Sequence, residues 1–271
     1  MRRRRRPPRR REPRADERTL TGDRPLYVLG CRVDDVEATS AAAGIASWIR
    51  QGRRAQVVTL GAEMATLAAR DDAYRAAING ADLIVPDTVG IVWASRVLRR
   101  PLRERVAGID LVEHVLRDSP PSSVRVFILG AAAGVAESAA QALGQRFPSV
   151  VICGMHHGFF ERDHDAQLAY LVRSSGAQLV LVGMGFPLQE FWIRTNLAAL
   201  GNAVCIGVGG AVDVWAGRVT RAPEAWRRAG LEWLYRLVRE PARFRRQLAL
   251  PRFAALVFAQ AMRERGANQA R

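Results

Sequence analysis

Short apolar runs alternate along the chain with longer segments of helical periodicity. The runs lie at 26–29, 56–59, 83–85, 125–129, 150–153, 179–182 and 204–206 and are rich in Val, Ile and Leu, as buried strands are. Intervening segments such as 36–50 and 136–146 contain no proline and are long enough for crossover helices. The alternation predicts an α/β fold, with a mainly parallel, Rossmann-like sheet covered by helices on both faces.

The pattern changes at both ends of the chain. Residues 1–22 are rich in Arg and Pro and predict a disordered tail. The β/α rhythm extends through 23–220, which predicts one α/β domain. Residues 221–250 predict a helical appendage, followed by a C-terminal tail at 251–271.

Composition adds charge to this picture. The net charge is +15 and belongs to the two ends, since residues 1–18 carry ten Arg against three acids and residues 218–271 carry thirteen Arg against four. Basic ends indicate an anionic partner: phosphate, nucleic acid or a lipid surface. The three cysteines form no CxxC pair, which argues against a zinc ribbon or a disulfide framework and favours a reducing cytoplasm. No apolar stretch approaches the roughly 18 residues of a membrane span, and no signal core follows the N-terminal arginines.

One carboxylate stands at the end of a predicted strand. Asp87 follows the run at 83–85, and ligands of open α/β proteins bind at the carboxyl edge of the sheet. Asp87 is therefore a candidate catalytic base. The alternative is that it caps the helix expected to begin near Val89.

Glycine-rich turns follow three of the predicted strands, at 130–134, 183–187 and 207–210. Glycine lets backbone N–H groups approach a phosphate closely, so a nucleotide diphosphate would fit this edge. Ordinary βα turns are the alternative. The turns form no dinucleotide fingerprint, because Val212 stands where GxGxxG needs glycine, and a chain without lysine contains no P-loop.

Histidines and acids at 156–165 provide little support for a metal site. His156 and His157 are adjacent, and neighbouring side chains of a strand point to opposite faces. Asp163 fits a helix cap. The sequence therefore predicts no metal site.

The basic C-terminal segment at 221–250 has an arginine face. At about 100° per residue, its arginines fall within roughly an 80° arc opposite an apolar stripe, although Pro241 interrupts the helix. The arginines of the arc are Arg236, Arg239, Arg243 and Arg246. Nearby Trp226, Trp233 and Tyr235 favour an anionic membrane interface. A solvated basic face over a packed stripe is the alternative.

Six blocks in order resemble the WecG/TagA/CpsF glycosyltransferase family. They lie at 59–63, 82–93, 104–110, 182–193, 207–217 and 221–243, within a resemblance extending from about 26 to 246. The resemblance implies transfer of an N-acetylmannosamine-type sugar from a UDP donor to an undecaprenyl-diphosphate-linked sugar. It implies inversion of the anomeric centre, no cofactor, no required metal, and peripheral work at the cytoplasmic face of the membrane.

The resemblance also assigns roles to residues. The proposed base falls on Asp87, the active-site threonine on Thr59 and the pocket glutamine on Gln189. The arginines for the acceptor diphosphate fall on Arg236, Arg243 and Arg246. Further substrate-binding candidates in the blocks and turns are Gly61, Arg105, Gly130, Gly183, Gly185, Glu190, Gly209, Gly210 and Asp213. Two positions depart from the family pattern, because Gly61 replaces a usual Asn and Thr88 a usual Gly.

Two other functional classes remain open at this point. A nucleotide-binding α/β protein with a nonspecific nucleic-acid- or membrane-binding tail would explain the arginines, but the body lacks basic residues interleaved with aromatics, so no specific nucleic acid is expected. A Rossmann-type oxidoreductase would explain the sheet but lacks the fingerprint. The sequence leaves the oligomeric state open, a homo-oligomer included.

Overall fold

The computed structural model describes residues 25–120, 124–239 and 249–269. Its strands are β1 (Leu26–Val28), β2 (Cys31–Val33), β3 (Ala55–Leu60), β4 (Leu83–Pro86), β5 (Val124–Gly130), β6 (Val150–His156), β7 (Leu179–Gly183) and β8 (Val204–Gly207). Six of them form a parallel sheet in the order β4-β3-β8-β7-β5-β6. The predicted mainly parallel α/β fold is confirmed.

Helices surround the sheet. They are α1 (Ala38–Arg50), α2 (Ala62–Ala68), α3 (Asp72–Asn79), α4 (Val89–Val97), α5 (Gly108–Arg117), α6 (Val135–Arg146), α7 (Asp165–Ser174), α8 (Leu188–Asn196), α9 (Ala211–Trp215), α10 (Glu224–Arg228), α11 (Glu232–Arg239) and α12 (Ala249–Gln269). A short 3₁₀ turn spans Arg162–His164. Within the described ranges, none of these helices combines the length and apolarity needed to cross a membrane.

Both faces of the sheet are buried. Val57 and Val126 pack with α1, α5, α6 and α9 on one face, whereas their neighbours Val58 and Phe127 contribute to the cores of the other face. That second face is covered by α2, α3, α4 and α12 at one end and by α7 and α8 at the other. Burial on both faces explains why these strands read as continuous apolar runs.

The predicted strand at 26–29 lies outside the main sheet. β1 pairs antiparallel with β2 as a hairpin. Leu29 and Gly30, with φ of 51° and 81°, form the two-residue turn between them. Positive φ at both central positions is the geometry that closes a tight hairpin.

The C-terminal helix α12 packs against the α/β domain. Phe253, Val257 and Ala261 recur at a spacing of four and are buried in the core that α2 and α4 share. The Gln260 side chain also accepts a hydrogen bond from Leu29 N and donates one to Tyr27 O, both at 2.8 Å. The segment 251–271, expected from the sequence to be a tail, lies almost wholly within this helix. Residues 1–22 lie outside the described ranges.

Candidate active site

Most of the proposed site residues that the structure describes lie where the parallel strands end. Connections after β5 and β7, which are neighbours in the sheet, leave in opposite directions: β5 leads to β6 and β7 leads to β8. Such a reversal opens a crevice at the carboxyl edge, where open α/β proteins bind their ligands. The edge therefore combines a crevice with the predicted polar residues.

Asp87 directly follows β4 and is half-buried. Its N–H donates to Leu60 O at 3.0 Å, and its Oδ1 accepts the N–H of Gly108 at 2.7 Å. Gly108 is the first residue of α5, whose positive end thus stabilises the carboxylate. The N-cap of α4 is Thr88, which makes no side-chain cap bond there. Asp87 therefore binds the start of a helix that lies 21 residues further along the chain.

Thr59 lies beside Asp87 through the same glycine. A Cβ at position 108 would lie 2.8 Å from Thr59 Cγ2, so glycine is what lets α5 begin this close to β3. Thr59 Oγ1 donates to Gly207 O at 2.9 Å, which ties the end of β3 to the end of β8. The structure thus brings Asp87 and Thr59 together. Gly108 was not identified from the sequence, although it lies in the block at 104–110.

Gln189 holds the turn after β8. Its Oε1 accepts Gly209 N at 3.0 Å, and its Nε2 donates to Glu190 at 2.7 Å. The second Glu190 oxygen accepts the Tyr74 hydroxyl at 3.1 Å. Burial raises the pKa of Glu190, while hydrogen bonds from Gln189 and Tyr74 oppose that rise. Glu190 is 1% exposed, so its contacts are with the protein and serve to order Gln189 and the glycine turn.

The glycine turns pack on one another at the crevice. A Cβ on Gly130, whose φ is 144°, would lie 2.4 Å from the carbonyl carbon of Gly183, and a Cβ on Gly183 would lie 2.9 Å from Gly209 O. Ala131 N donates to Gly183 O at 3.0 Å. Gly185 has φ of 75° and begins the turn that leads into α8. These turns line the crevice with backbone that side chains would otherwise cover.

Asp213 and Gly210 lie at the start of α9. Gly210 is the N-cap of this short helix, and Asp213 occupies its first turn, partly exposed. The carbonyl of Asp213 accepts the N–H of Arg218 at 2.9 Å, which folds the following segment back. Both residues therefore belong to the same edge as the glycine turns.

Ion pairs hold the C-terminal segment against α5. Arg105 pairs with Glu232 of α11 at 3.0 Å, and both side chains are largely buried. Arg221 binds Asp110 through two hydrogen bonds of 2.7 and 2.6 Å. Burial alone would raise the pKa of Asp110, but the Arg221 guanidinium lowers it below the ordinary value. The described contact of Arg105 is thus with the C-terminal segment, beside the site.

The predicted acceptor arginines lie mostly outside the described residues. Arg243 and Arg246 are among the residues that the structure does not describe, and Arg236 is described only as part of the backbone of α11. Gly61 is the N-cap of α2. A Cβ there would meet Thr88 Cγ2 at 3.3 Å, so the two departures from the family pattern are in contact.

A cavity of about 510 Å³ adjoins the glycine turns at the end of β6. It is lined by His156, His157, His164, Glu161 and the exposed Phe159, among others. Gly158 N donates to Ala131 O at 2.8 Å and thereby fixes this segment to the turn after β5. The sequence did not indicate Phe159, although an aromatic residue next to a glycine at a strand end was the available signal.

The two histidines do not point to opposite faces, as strand geometry had suggested. Their rings lie 4.5 Å apart, because β6 ends at His156 and His157 is already in the loop. In the described ranges, no group of three or more His, Cys, Asp or Glu side chains is arranged to hold a metal ion.

Comparison with known proteins gives one consistent result. The family model "Glycosyl transferase WecG/TagA/CpsF family" matches residues 26–267. The N-acetylglucosaminyldiphosphoundecaprenol N-acetyl-beta-D-mannosaminyltransferase of Bacillus spizizenii is 34% identical over 224 residues, covering 82% of this chain and 86% of the relative. A protein of the same name from Staphylococcus aureus strain MW2 is 36% identical over 197 residues, covering 73% and 77%.

Proposed function

The chain belongs to the WecG/TagA/CpsF glycosyltransferase family, and we propose that it transfers an N-acetylmannosamine-type sugar from a UDP donor to N-acetylglucosamine on undecaprenyl diphosphate. The relatives' names support the transferred sugar and the acceptor. The observation that carries the proposal in this chain is the Asp87 carboxylate, held at the carboxyl edge by the start of α5.

The proposed reaction is a single displacement with Asp87 as general base. The Asp87 carboxylate takes the proton of the acceptor hydroxyl, and the freed oxygen attacks the anomeric carbon from the face opposite UDP. One bond forms between that oxygen and the carbon, while the bond from the carbon to the donor diphosphate breaks. UDP leaves with the bonding electrons. Because the attack comes from the opposite face, the anomeric centre is inverted.

Thr59 and Gln189 prepare the site for this step. Thr59 borders Asp87 across Gly108 and ties β3 to β8. Gln189 holds Gly209 N, which keeps the turn at 207–210 in place against the turn at 183–187. A site held this firmly favours the reactive orientation of two bound sugars.

The glycine turns and the adjoining cavity suit the two halves of UDP. In this proposal the diphosphate lies against the turns after β5 and β7, where backbone can approach it without side-chain obstruction. The uracil lies in the cavity beside Phe159, which is 76% exposed and free to stack on a planar base. Arg236, Arg243 and Arg246 would meet the diphosphate of the lipid acceptor. Backbone N–H groups of the glycine turns would meet the charge that builds on the departing UDP diphosphate, so the proposed reaction requires no metal ion.

The lipid-linked acceptor would bring the enzyme to the inner face of the cytoplasmic membrane. In this proposal the arginine-rich C-terminal segment contacts the anionic leaflet while the ion pairs of Arg105 and Arg221 keep it against α5. The enzyme would work there as a peripheral protein.

Asp87→Asn is the decisive test. The asparagine Oδ1 can still accept the Gly108 N–H, so the variant should fold, but it cannot take a proton. UDP release with acceptor present should fall by at least about a hundredfold. Asp118→Asn is the matched control, because Asp118 is exposed at the opposite end of α5. Undiminished UDP release by Asp87→Asn would disprove the assignment, and loss of turnover on adding EDTA would disprove metal independence.

A further inference from the structure

Helices α4 and α12 expose apolar side chains side by side. Trp93, Phe258 and Met262, here called the aromatic patch, are 36%, 52% and 72% exposed. The rings of Trp93 and Phe258 meet edge to face with centroids 5.5 Å apart, so the two helices form one continuous surface. The largest exposed apolar patch of a protein is often functional, as a contact with a partner or a membrane.

Arginines border the aromatic patch on both helices. Arg96 follows Trp93 by three residues on the same side of α4, and Arg100 lies just beyond the end of that helix. Arg265 follows Met262 by three residues on α12, and all three arginines are exposed. The sequence of α4 contains no acid to neutralise this charge. The surface therefore combines aromatic rings with positive charge.

We infer that the aromatic patch docks α4 and α12, and with them the α/β domain, on an anionic lipid leaflet, an inference that rests on the proposed lipid-linked acceptor. Aromatic side chains enter the headgroup region while arginines pair with anionic headgroups. A symmetric pairing with a second copy would instead bring the same arginines against one another, because a twofold interface uses the same surface twice. The charge therefore favours the leaflet over self-association.

The position of the aromatic patch matches the reaction. Trp93 lies one turn into α4, and that helix begins two residues after Asp87. The C-terminal segment, which is also proposed to face the membrane, contacts the start of α4, because a Cβ on Gly230 would lie 3.1 Å from Val89 Cγ1. Contact through α4 would hold Asp87 close to the bilayer surface from which the acceptor diphosphate emerges.

Vesicle binding by the full-length protein tests the inference. Phe258→Ser with Met262→Ser should weaken co-sedimentation with mixed phosphatidylcholine and phosphatidylglycerol vesicles by at least about tenfold, since both side chains are exposed apolar surface. Tyr170→Ser is the matched control, because Tyr170 is an aromatic residue 72% exposed on α7. The double variant should keep its turnover on a short-chain, water-soluble acceptor. Unchanged binding of the double variant would overturn the inference. Absence of turnover by the wild-type protein would instead contradict the proposed function.

An environment-sensitive dye at position 262 distinguishes the leaflet from a second copy. Met262→Cys labelled with such a dye should shift its emission on adding anionic vesicles and remain unshifted with pure phosphatidylcholine. Tyr170→Cys with the same dye should not respond. A shift that depends on protein concentration without lipid would show that another copy covers the aromatic patch and would overturn the inference.

Discussion

The contact between Gly61 and Thr88 makes a prediction that concerns both positions at once. Gly61 is the N-cap of α2 and supplies no side-chain cap. Thr88 Oγ1 accepts the N–H of Ala62 at 3.2 Å and so caps α2 from the neighbouring strand end. We therefore expect the effects of changing positions 61 and 88 to be strongly non-additive.

The magnitudes follow from this geometry. An Asn at position 61 would have an allowed backbone, with φ of −104°, and relative to Gly it could stabilise the start of α2 by roughly a few tenths of a kcal/mol. It would also press its Cβ on Thr88 Cγ2, 3.3 Å away, and such crowding costs about 1–3 kcal/mol. Gly61→Asn should thus destabilise the fold by about 1 kcal/mol. Thr88→Gly alone loses the hydrogen bond to Ala62, about 1 kcal/mol.

The double variant Gly61→Asn with Thr88→Gly should recover most of this loss, because the asparagine fills the vacated space and caps α2 itself. We expect a coupling of about 1.5 kcal/mol from denaturant unfolding of the wild type, the two single variants and the double variant. Gly61→Asn with Thr88→Ser is the matched control, since serine keeps the hydroxyl and removes only Cγ2. It should also relieve the crowding. Additivity within about 0.5 kcal/mol would refute the contact as the link between the two positions.

Three further outcomes are expected. Gly108→Ala should lower turnover more than tenfold while Tm stays within a few degrees. The new Cβ would lie 2.8 Å from Thr59 Cγ2 and would shift the N–H from which Asp87 accepts a hydrogen bond. Unchanged turnover would contradict this expectation. Burial, opposed by Arg32, raises the pKa of Asp34 from 3.8 to about 6. Between these two values the folded protein keeps a proton that the unfolded chain releases, so the free energy of unfolding should fall by about 3 kcal/mol as the pH rises from one to the other. Unfolding curves from pH 3 to 7 should show this slope in the wild type and lose it in Asp34→Asn. Phe159→Ala should raise KM for the UDP donor with little change in kcat, because the uracil is proposed to stack on this ring. An unaltered KM would mean that the uracil binds elsewhere.

The strand positions could be predicted from the sequence because most of these strands are buried on both faces. Burial of Val57 on one side and Val58 on the other leaves no polar alternation, so each strand appears as an apolar run. The hairpin of β1 and β2 could not be read in the same way. Its existence depends on the backbone at Leu29 and Gly30, and a positive φ at leucine has no compositional signal.

The C-terminal helix shows the opposite difficulty. Phe253, Val257 and Ala261 have a regular spacing, but Ala255, Leu256 and Phe258 among them blur the apolar stripe. In a helix that is apolar on several sides, the sequence does not indicate which side is buried. The exposed remainder, including Phe258, is also why this helix can present a surface of its own.

The candidate site was predictable only as far as side chains define it. Asp87 was proposed from its place at a strand end, and Thr59 and Gln189 were proposed from the family resemblance. The partners that position them are largely backbone atoms: Gly108 N for Asp87, Gly207 O for Thr59 and Gly209 N for Gln189. A backbone donor has the same chemistry in every residue, so no sequence pattern distinguishes the one that is used.

One turn of α5 links Asp87 to the C-terminal segment. Gly108 N binds Asp87, and two residues later the Asp110 carboxylate binds the Arg221 guanidinium through two short hydrogen bonds. Gly108 and Asp110 both lie in the first turn of α5, so a shift of that turn as a unit would move both. A displacement of the C-terminal segment is therefore transmitted to the N–H that holds Asp87, unless the ion pair breaks first. The pairing of Arg105 with Glu232 opposes that rupture from the other side of the same segment. The Asp87 carboxylate and the helices expected to meet the lipid are thus connected by contacts through α5, although they lie more than a hundred residues apart in the sequence.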